Sequence, residues 1–407
     1  MTVKRLFAIM FIFLCTLGAW MILGGVTSVR TQENGTLLKK AVVSLYGDNL
    51  VIKQPTLIYL EKKQKQSKKP NGEIFIEEFE TEHSIFPKKS KVSIDLQLDP
   101  RKKGVLWFPT FKAKYDARYE FDISEYKDKD IFLISELSSS ESIYKNVHLK
   151  INDKKIDDIS FLIKNEKKKI DNQKDIVVFN TTYDTTGLEK FSYLMSPGYS
   201  GIAQIDSLDL TINTDFHNID FIEKTLSATD KKKTDKGFIL SWKLDQAITG
   251  KDIGIVIPGK LNPGDIIPRT VFAAPISLLF YFMIIIVLSV VKKEKIHPVN
   301  YFFLACAFFS FHLMYSYFSD HINIYLSFVI ASVVSIILVS SYLRLFVSKK
   351  IAYLYSPLAQ IIYLIVFSYS FFYKGYSGLI ITIISVCSLF FLMQLTGKIN
   401  WQKVFEK

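Results

Sequence analysis

One ionisable side chain, His312, lies deep inside an uncharged stretch of this sequence, in the Phe-His-Leu-Met-Tyr segment of residues 311–315. An ionisable group at such depth is costly and often marks a proton or ion pathway. A histidine can equally share a hydrogen bond with a neighbouring helix. We predict the second case, a neutral side chain bonded to a serine or a tyrosine. Together with the other polar groups at similar depth it defines a candidate intramembrane polar site: His312, Ser335, Thr382 and Ser385.

Charged residues are absent from the apolar centre of this stretch and of the other long apolar stretches of the sequence, and Arg344 lies at the end of one of them. Ion-coupled carriers generally use carboxylates at depth to bind the coupling ion. The sequence therefore argues against a proton-coupled transporter. Ser327, Ala331 and Ser335 recur every four residues, which places small side chains on one helix face and indicates helix packing.

A phosphate-binding loop is suggested by Gly254, Gly259 and Lys260, which fit part of the GxxxxGK[ST] pattern. Leu261 replaces the hydroxyl that would bind magnesium, and the Asn-Pro-Gly-Asp segment of residues 262–265 interrupts the helix that should follow at once. We reject this loop as a nucleotide site.

The remaining histidines of the large segment, His83, His148 and His217, lack the spacing of metal ligands. No GxSxG nucleophile elbow occurs in the sequence. The sequence therefore predicts no catalytic residue, no cofactor and no metal site, and we expect a protein that is not an enzyme.

Six stretches are apolar and long enough to cross a membrane, since a spanning helix needs about 20 residues. The first begins near the N-terminus and the other five follow residue 270. They are residues 6–29, 271–291, 301–318, 324–343, 351–373 and 376–395.

The formal charge of +12 lies mostly beside these stretches rather than in the large segment between them. This is the positive-inside pattern of membrane proteins, and it needs no nucleic-acid partner. It predicts a cytoplasmic N-terminus, an external segment of residues 30–270, and cytoplasmic connections at residues 292–300 and 344–350. The expected domains are an anchor (1–29), a periplasmic β-rich domain (30–270), a five-helix membrane domain (271–401) and a cytoplasmic tail (402–407).

Residues 30–270 alternate apolar and polar side chains over short runs, for example in residues 91–98 and 205–212. A period of two predicts half-buried strands, and many short strands predict a sandwich-like, mainly-β domain. The three cysteines, Cys15, Cys306 and Cys387, all lie in the apolar stretches, so this domain needs no disulfide. The fold class is thus an α-helical membrane module of six spans plus a large extracytoplasmic mainly-β domain. We interpret the first span as an uncleaved signal anchor.

The pair His297-Pro298 follows a lysine-rich connection and precedes a span. Proline fits the first turn of a helix, because its missing N–H would have no partner there. We therefore expect these residues to begin a helix at headgroup level and to take no part in catalysis.

Residues 297–301, leading to the Ser-Asp-His-Ile segment of residues 319–322, resemble the HPVxY…SEHI pattern of the CreD family of bacterial inner-membrane proteins. Residues 237–242 resemble the family's GFxAxW segment, and residues 395–401 its LTRxxDW ending. The similar residues include His297, Pro298, Asn300, Tyr301, Asp320, His321, Trp242 and Trp401.

The resemblance implies a role in envelope integrity and stress response, and the family supplies no catalytic residues. Our first hypothesis is a non-enzymatic protein of the bacterial inner membrane, with the lipid bilayer around its spans and a periplasmic or membrane protein partner, or another envelope component, bound by its β domain. Two alternatives stay open: a transport or permease-like component, and a membrane-embedded enzyme acting on lipid or cell-wall precursors.

Overall fold

The computed structural model describes residues 3–68, 74–104, 106–137, 142–164, 166–170, 174–195, 201–373 and 375–397. The chain divides into two compact units. The helical unit contains Met1–Leu37, Gly104–Leu106 and Leu261–Lys407, and the β-rich unit contains Leu38–Lys103 and Trp107–Lys260.

Six helices in the described residues are long and apolar enough to cross a membrane. We number them α1 (Val3–Tyr46), α2 (Pro263–Val291), α3 (Pro298–His321), α4 (Ile324–Leu343), α5 (Ile351–Phe372) and α6 (Ser377–Thr396). One short helix, Ser160–Lys164, belongs to the β-rich unit.

Helix α1 contacts the other helices through one stripe of its surface. Its buried residues Thr16, Trp20, Leu23 and Thr27 are three or four positions apart, so they lie on the same face. Side chains on the other faces, such as Phe11, are exposed, as expected for a helix that faces lipid. The helical core is a single apolar cluster that Trp20 and Leu23 share with residues of α2 to α5.

The strands of the β-rich unit repeat the alternation seen in the sequence. In the strand Thr110–Asp122, Tyr115, Ala117 and Tyr119 are buried while Asp116 and Arg118 are exposed. The strands are β1 (Leu50–Lys53), β2 (Thr56–Lys68), β3 (Ile74–Ile85), β4 (Lys89–Leu98), β5 (Arg101–Lys103), β6 (Leu106–Phe108), β7 (Thr110–Asp122), β8 (Ile131–Ile134), β9 (Lys145–Ile151), β10 (Lys154–Lys155), β11 (Lys168–Lys169), β12 (Ile176–Leu188), β13 (Lys190–Leu194), β14 (Ala203–Thr214), β15 (Asp220–Phe221), β16 (Asp230–Lys233), β17 (Phe238–Thr249) and β18 (Ile253–Val256).

These strands form an eight-stranded sheet in the order β10-β9-β12-β7-β4-β14-β17-β16 and two four-stranded sheets, β1-β13-β18-β15 and β11-β8-β2-β3. A small pair is formed by β5 and β6. The pairs are mostly antiparallel, but β14 runs parallel to β4, with Leu208 opposite Ser90. The large sheet and both four-stranded sheets contribute to one apolar core, which contains Tyr119, Phe191 and Leu133.

The structure confirms six apolar helices and a large mainly-β region with several sheets. Two element boundaries differ from the sequence pattern. Helix α1 continues past the uncharged run to Tyr46, and α2 already begins at Pro263, because helical hydrogen bonding continues into the polar flanks of a span. The predicted tail, residues 402–407, lies outside the described residues.

Candidate functional site

The His312 side chain is fully buried among aromatic rings. Its ring centroid lies 6.0 Å from that of Trp20, 6.1 Å from Phe308 and 4.8 Å from Phe311. Within the described chain, neither imidazole nitrogen reaches a hydrogen-bond partner on a neighbouring helix. The predicted bond to a serine or tyrosine of another helix is therefore wrong. The neighbouring faces of α1 and α3 supply rings instead of hydroxyl groups.

Ser335 on α4 makes the kind of contact that was expected of His312. Its hydroxyl donates to the backbone oxygen of Ala307 on α3 at 3.0 Å. Ser327, Ala331 and Ser335 are all fully buried. Small side chains on this face allow two helix backbones to approach closely.

A buried polar residue that the sequence analysis missed is Gln360 on α5. Gln360 is fully buried, and its amide nitrogen lies 3.5 Å from the hydroxyl of Ser335. Its amide oxygen has no partner among the described residues. A search for glutamine as well as for charged residues in the uncharged run 351–373 would have found it.

Helix α5 is irregular on both sides of this glutamine. It is π-helical over Ile351–Tyr355 and Ile361–Val366. Such turns shift the backbone hydrogen bonds and are frequent at functional sites. The hydroxyl of Ser277 on α2 donates to the backbone oxygen of Tyr363, and the hydroxyl groups of Tyr281 and Ser356 lie 2.8 Å apart. Side chains of α2 thus bond to α5 along its irregular part.

The structure does not bring the four residues of the candidate intramembrane polar site together. Thr382 is exposed, and its hydroxyl donates to the backbone oxygen of Gly378 in its own helix at 2.8 Å. Ser385 is half-buried on the same helix, α6. Only Ser335 contacts a second polar side chain, that of Gln360.

A second feature that the sequence analysis missed is an ion pair between α1 and α3. Nη1 of Arg30 lies 2.7 Å from Oδ2 of Asp320. Nη2 of Arg30 donates to the backbone oxygen of Ser316 at 3.3 Å, and the guanidinium carbon lies 5.4 Å from the centre of the Tyr317 ring. The two charged residues are far apart in sequence, and each follows an uncharged run by one or two positions. No spacing in the sequence signals the pair.

The residues of the His-Pro-Val-Asn-Tyr motif begin α3 and attach it to its neighbours. Nδ1 of His297 accepts from the backbone N–H of Val299 at 3.4 Å, and Pro298 occupies the first turn. The side-chain oxygen of Asn300 accepts from the hydroxyl of Tyr342 on α4 at 3.1 Å. Tyr301 is buried, and its ring lies 5.2 Å from that of Phe282 on α2. The predicted helix start is confirmed.

The other motif residues fall in different places. Trp242 is buried in the β core, and its indole N–H donates to the backbone oxygen of Leu226 at 3.1 Å. Its role there is packing within the sheet. His321 is exposed at the last position of α3. Trp401 lies outside the described residues.

An extended ribbon in the β-rich unit is open on both sides. Strands β2 and β3 pair from Leu57↔Ile85 to Lys68↔Ile74, whereas β8 covers only Thr56–Tyr59 of β2. Beyond Tyr59 no described residue pairs with the outer edge of either strand. Side chains of the ribbon are exposed at consecutive positions and therefore on both faces: Lys62, Lys63, Gln64, Glu78, Phe79 and Glu80.

An aromatic and charged cluster lies at the base of this ribbon. The Tyr59 ring stacks on His83 at 5.0 Å and on Tyr126 at 4.9 Å, with Nζ of Lys129 4.1 Å from its centre. Nε2 of His83 lies 3.0 Å from Oε2 of Glu61. This hydrogen bond lowers the pKa of the Glu61 carboxyl, so the glutamate is charged at neutral pH.

Among the described residues, no group of three or more His, Cys, Asp or Glu residues could hold a metal ion. The arrangement as a whole supplies hydrogen-bonding groups between helices, an ion pair at the end of two spans, and an exposed ribbon on the β-rich unit.

Six apolar helices of spanning length and a mainly-β unit define a multi-span membrane protein that carries a large β domain. The family described as inner membrane protein CreD matches residues 1–251 and 266–402. The chain belongs to this family, as the resemblance of its motifs predicted. No curated protein matches the chain.

Proposed function

We propose that this inner-membrane protein is a non-enzymatic component of the cell envelope that maintains envelope integrity under stress. Its N-terminus lies in the cytoplasm and its β domain in the periplasm, where the domain binds a protein partner. The family is that of an inner membrane protein and is not known as enzymatic, which agrees with such a role. The β2–β3 ribbon is the observation that carries the proposal.

The ribbon has the properties of a docking element. A two-stranded ribbon is marginally stable alone in water, and it gains when a further strand or a surface covers it. An extended peptide can pair with an open strand edge and place its alternate side chains beside those of the ribbon. Phe79 offers an apolar anchor, because its side chain is 44% exposed.

The charges of the ribbon favour a protein partner over a bare lipid surface. Lys62 lies directly opposite Glu80, and Gln64 opposite Glu78. The ribbon thus carries charges of both signs, whereas binding to an anionic membrane surface is favoured by clusters of lysine and arginine alone. A partner with mixed charges on an extended segment complements this pattern.

Photo-crosslinking in living cells tests the docking role. We expect a crosslinking amino acid at position 63 or 79 of the full chain to capture a discrete partner, and one at Lys150, an exposed residue of the large sheet, to capture none. Phe79→Asp should keep the protein level and lose envelope-stress tolerance in a deletion strain. Ile248→Asp is the matched control, because Ile248 is an exposed apolar residue on a different strand, β17.

Normal stress tolerance in a Phe79→Asp strain, or in a strain whose ribbon is shortened to a tight turn, would contradict the docking role. If neither variant accumulates in cells, the crosslinking variants still test the docking role, because they leave the ribbon in place.

A transport component is a second candidate, because the irregular α5 favours it. Transporters often place broken helices and polar groups at the middle of the membrane. Gln360, with its unpartnered amide oxygen, lies between the two π-helical segments. If the helices form a path, Gln360→Leu should abolish stress tolerance while the protein stays folded and Phe79→Asp is tolerated.

A further inference from the structure

The helical unit contains a cavity beside the Arg30–Asp320 ion pair. Its volume is about 120 Å³, close to that of the ~150 Å³ engineered cavity that holds benzene. It is lined by residues of α1, α2 and α3 and by one leucine of the same compact unit: Thr27, Arg30, Thr31, Leu106, Pro263, Gly264, Ile267 and Asp320.

The walls of this cavity are closely packed on one side. A Cβ atom at Gly264 would lie 2.4 Å from Cγ2 of Thr31, so α1 and α2 can approach here only because position 264 is a glycine. The hydroxyl groups of Thr27 and Thr31 donate to backbone oxygens within α1, which leaves their oxygen lone pairs available as acceptors.

The two charged side chains are both accessible from the cavity. The side chain of Arg30 is 30% exposed and that of Asp320 is 22% exposed. The guanidinium group has five N–H donors, and its contacts with Asp320 and Ser316 use only part of them. Asp320 contacts Arg30 through Oδ2, so its other oxygen, Oδ1, lies outside that ion pair.

We propose that this cavity binds a zwitterionic group that carries a phosphodiester and a primary ammonium, the chemistry of a phosphodiester of ethanolamine. The phosphate lies against the guanidinium of Arg30, and the ammonium donates to Oδ1 of Asp320. Charge-assisted hydrogen bonds of this kind are the strongest that proteins make.

The existing ion pair is the reason to expect a zwitterion rather than a simple anion. Asp320 already neutralises Arg30, so an anion alone would place a second negative charge beside the carboxylate and leave the net charge of the site at minus one. A zwitterion adds one charge of each sign and leaves every charge paired, which avoids the cost of a poorly solvated, unpaired ion.

The position of the cavity indicates a lipid headgroup as the source of this chemistry. Arg30 follows the uncharged run 6–29, and Asp320 follows the uncharged run 301–318. Both therefore lie where spans leave the hydrocarbon core, at the end opposite the lysine-rich connections, and Tyr317 has the amphipathic ring typical of this level. A soluble phosphodiester of ethanolamine, such as glycerophosphoethanolamine, would offer the same groups, so the test separates the two sources.

Native mass spectrometry measures which lipids the full chain retains. The chain is released from nanodiscs that contain equal amounts of phosphatidylethanolamine and phosphatidylglycerol. We expect retained phosphatidylethanolamine to exceed phosphatidylglycerol by about tenfold, since a hydrogen bond to a charged group is worth about this factor. Asp320→Asn should abolish the preference, because only phosphatidylethanolamine carries the ammonium that Asp320 binds, whereas Arg30→Gln should lower the retention of both lipids, because both carry the phosphate. Arg344→Gln removes a positive charge at the other end of the spans and should leave the preference intact.

Leu106→Phe keeps both charges and narrows the cavity, so it tests the site even if the charge variants fail to fold. It should lose the preference and keep the thermal unfolding temperature. Displacement of the retained lipid by soluble glycerophosphoethanolamine would identify the headgroup alone as the ligand, and persistence of the lipid would identify the whole lipid. Equal retention of both lipids by the unmodified chain, a preference that survives Asp320→Asn, or unchanged retention of both lipids in Arg30→Gln would overturn the assignment.

Discussion

The hydroxyl of Tyr342 donates a hydrogen bond to the side-chain oxygen of Asn300 at 3.1 Å and thereby joins the end of α4 to the beginning of α3. Asn300 stands at the unspecified position of the HPVxY pattern, between Val299 and Tyr301, and the contact gives the asparagine at this position a structural explanation. The Tyr342 ring also packs against Phe303 at 5.6 Å and Phe346 at 5.1 Å.

We expect Tyr342→Phe and Asn300→Ala each to destabilise the helical unit by about 0.5–1.5 kcal/mol, with a coupling of about 0.6 kcal/mol between them, the usual worth of a bond between membrane helices. A double-mutant cycle on the full chain in detergent measures the coupling. Tyr353→Phe is the control, because Tyr353 is 59% exposed and its hydroxyl bonds to none of the described residues. Additive effects of the two changes would show that the bond contributes nothing.

His312 and Ser335 should respond oppositely to the loss of their polar groups. Removing a buried polar group that has no partner relieves a desolvation cost, whereas removing a bonded one forfeits the bond. We expect His312→Leu to leave the unfolding free energy unchanged or to raise it, and Ser335→Ala to lower it by about 0.6–1.7 kcal/mol. A marked loss of stability in the leucine variant would reveal a partner for the imidazole. Loss of stress tolerance with stability retained would instead favour proton chemistry.

Patterns that are local in sequence predicted much of this fold. The uncharged runs predicted the six spans, and Pro298 after His297 predicted where α3 begins, because apolar length and proline geometry act within a single element. The alternation of residues 91–98 likewise predicted β4.

Contacts between distant residues could not be predicted in this way. The Arg30–Asp320 pair joins two spans, and each residue alone resembles an ordinary polar flank. The contact of Gln360 with Ser335 joins α5 to α4, and the hydrogen bond from Ser277 to Tyr363 joins α2 to α5, so neither can be seen in the sequence of a single helix. A hydrogen bond from His312 to a neighbouring helix was expected only because a histidine side chain is able to form one. The packing of Trp20 and Phe308 instead places aromatic rings beside the imidazole.

The orientation of the spans is tested with single cysteines in a background that lacks Cys15, Cys306 and Cys387. We expect cysteines at Lys292 and Lys349 to be protected from an impermeant maleimide in intact cells, and one at Ser377 to be labelled, because the positive-inside rule predicts a cytoplasmic location for lysine-rich connections. The second external position is best placed at His321, since a change at Asp320 would also remove the ion pair with Arg30. Labelling at position 292 in intact cells would contradict this orientation.

Residues 30–270, expressed without the six spans, should fold as a β-rich soluble unit. The unit has its own apolar core and no cysteine, so a reducing agent should change neither its far-UV circular dichroism nor its unfolding midpoint. A shorter fragment, residues 38–260, matches the bounds of the compact unit and serves as the control for the helical flanks. A spectrum dominated by helix in the shorter fragment would contradict the prediction.

Asp252 and Asp122 of the β-rich unit should contribute to the free energy of unfolding with opposite dependences on pH. Partial burial raises the pKa of Asp252, against the lowering effect of the bond that its carboxylate accepts from the N–H of Met195. Hydrogen bonds from Ser124, aided by Lys88, lower the pKa of Asp122 to about 2. The pKa of an aspartate in the unfolded chain is about 3.9.

The signs follow from which state binds the proton more tightly. Folded Asp252 holds its proton longer than the unfolded chain does, so its contribution is present below about pH 3.9 and is lost as the pH rises through the raised value. Folded Asp122 loses its proton earlier, so its contribution is present above about pH 3.9 and is lost as the pH falls towards 2. We therefore expect the stability of Asp252→Asn to increase relative to that of the unmodified chain as the pH rises above about 4. We expect the stability of Asp122→Asn to decrease relative to that of the unmodified chain as the pH rises from about 2 to about 4. Urea unfolding of each variant across this range, followed by circular dichroism, measures both slopes. Parallel pH curves for Asp252→Asn and the unmodified chain would show that the Asp252 carboxyl is not desolvated by the fold.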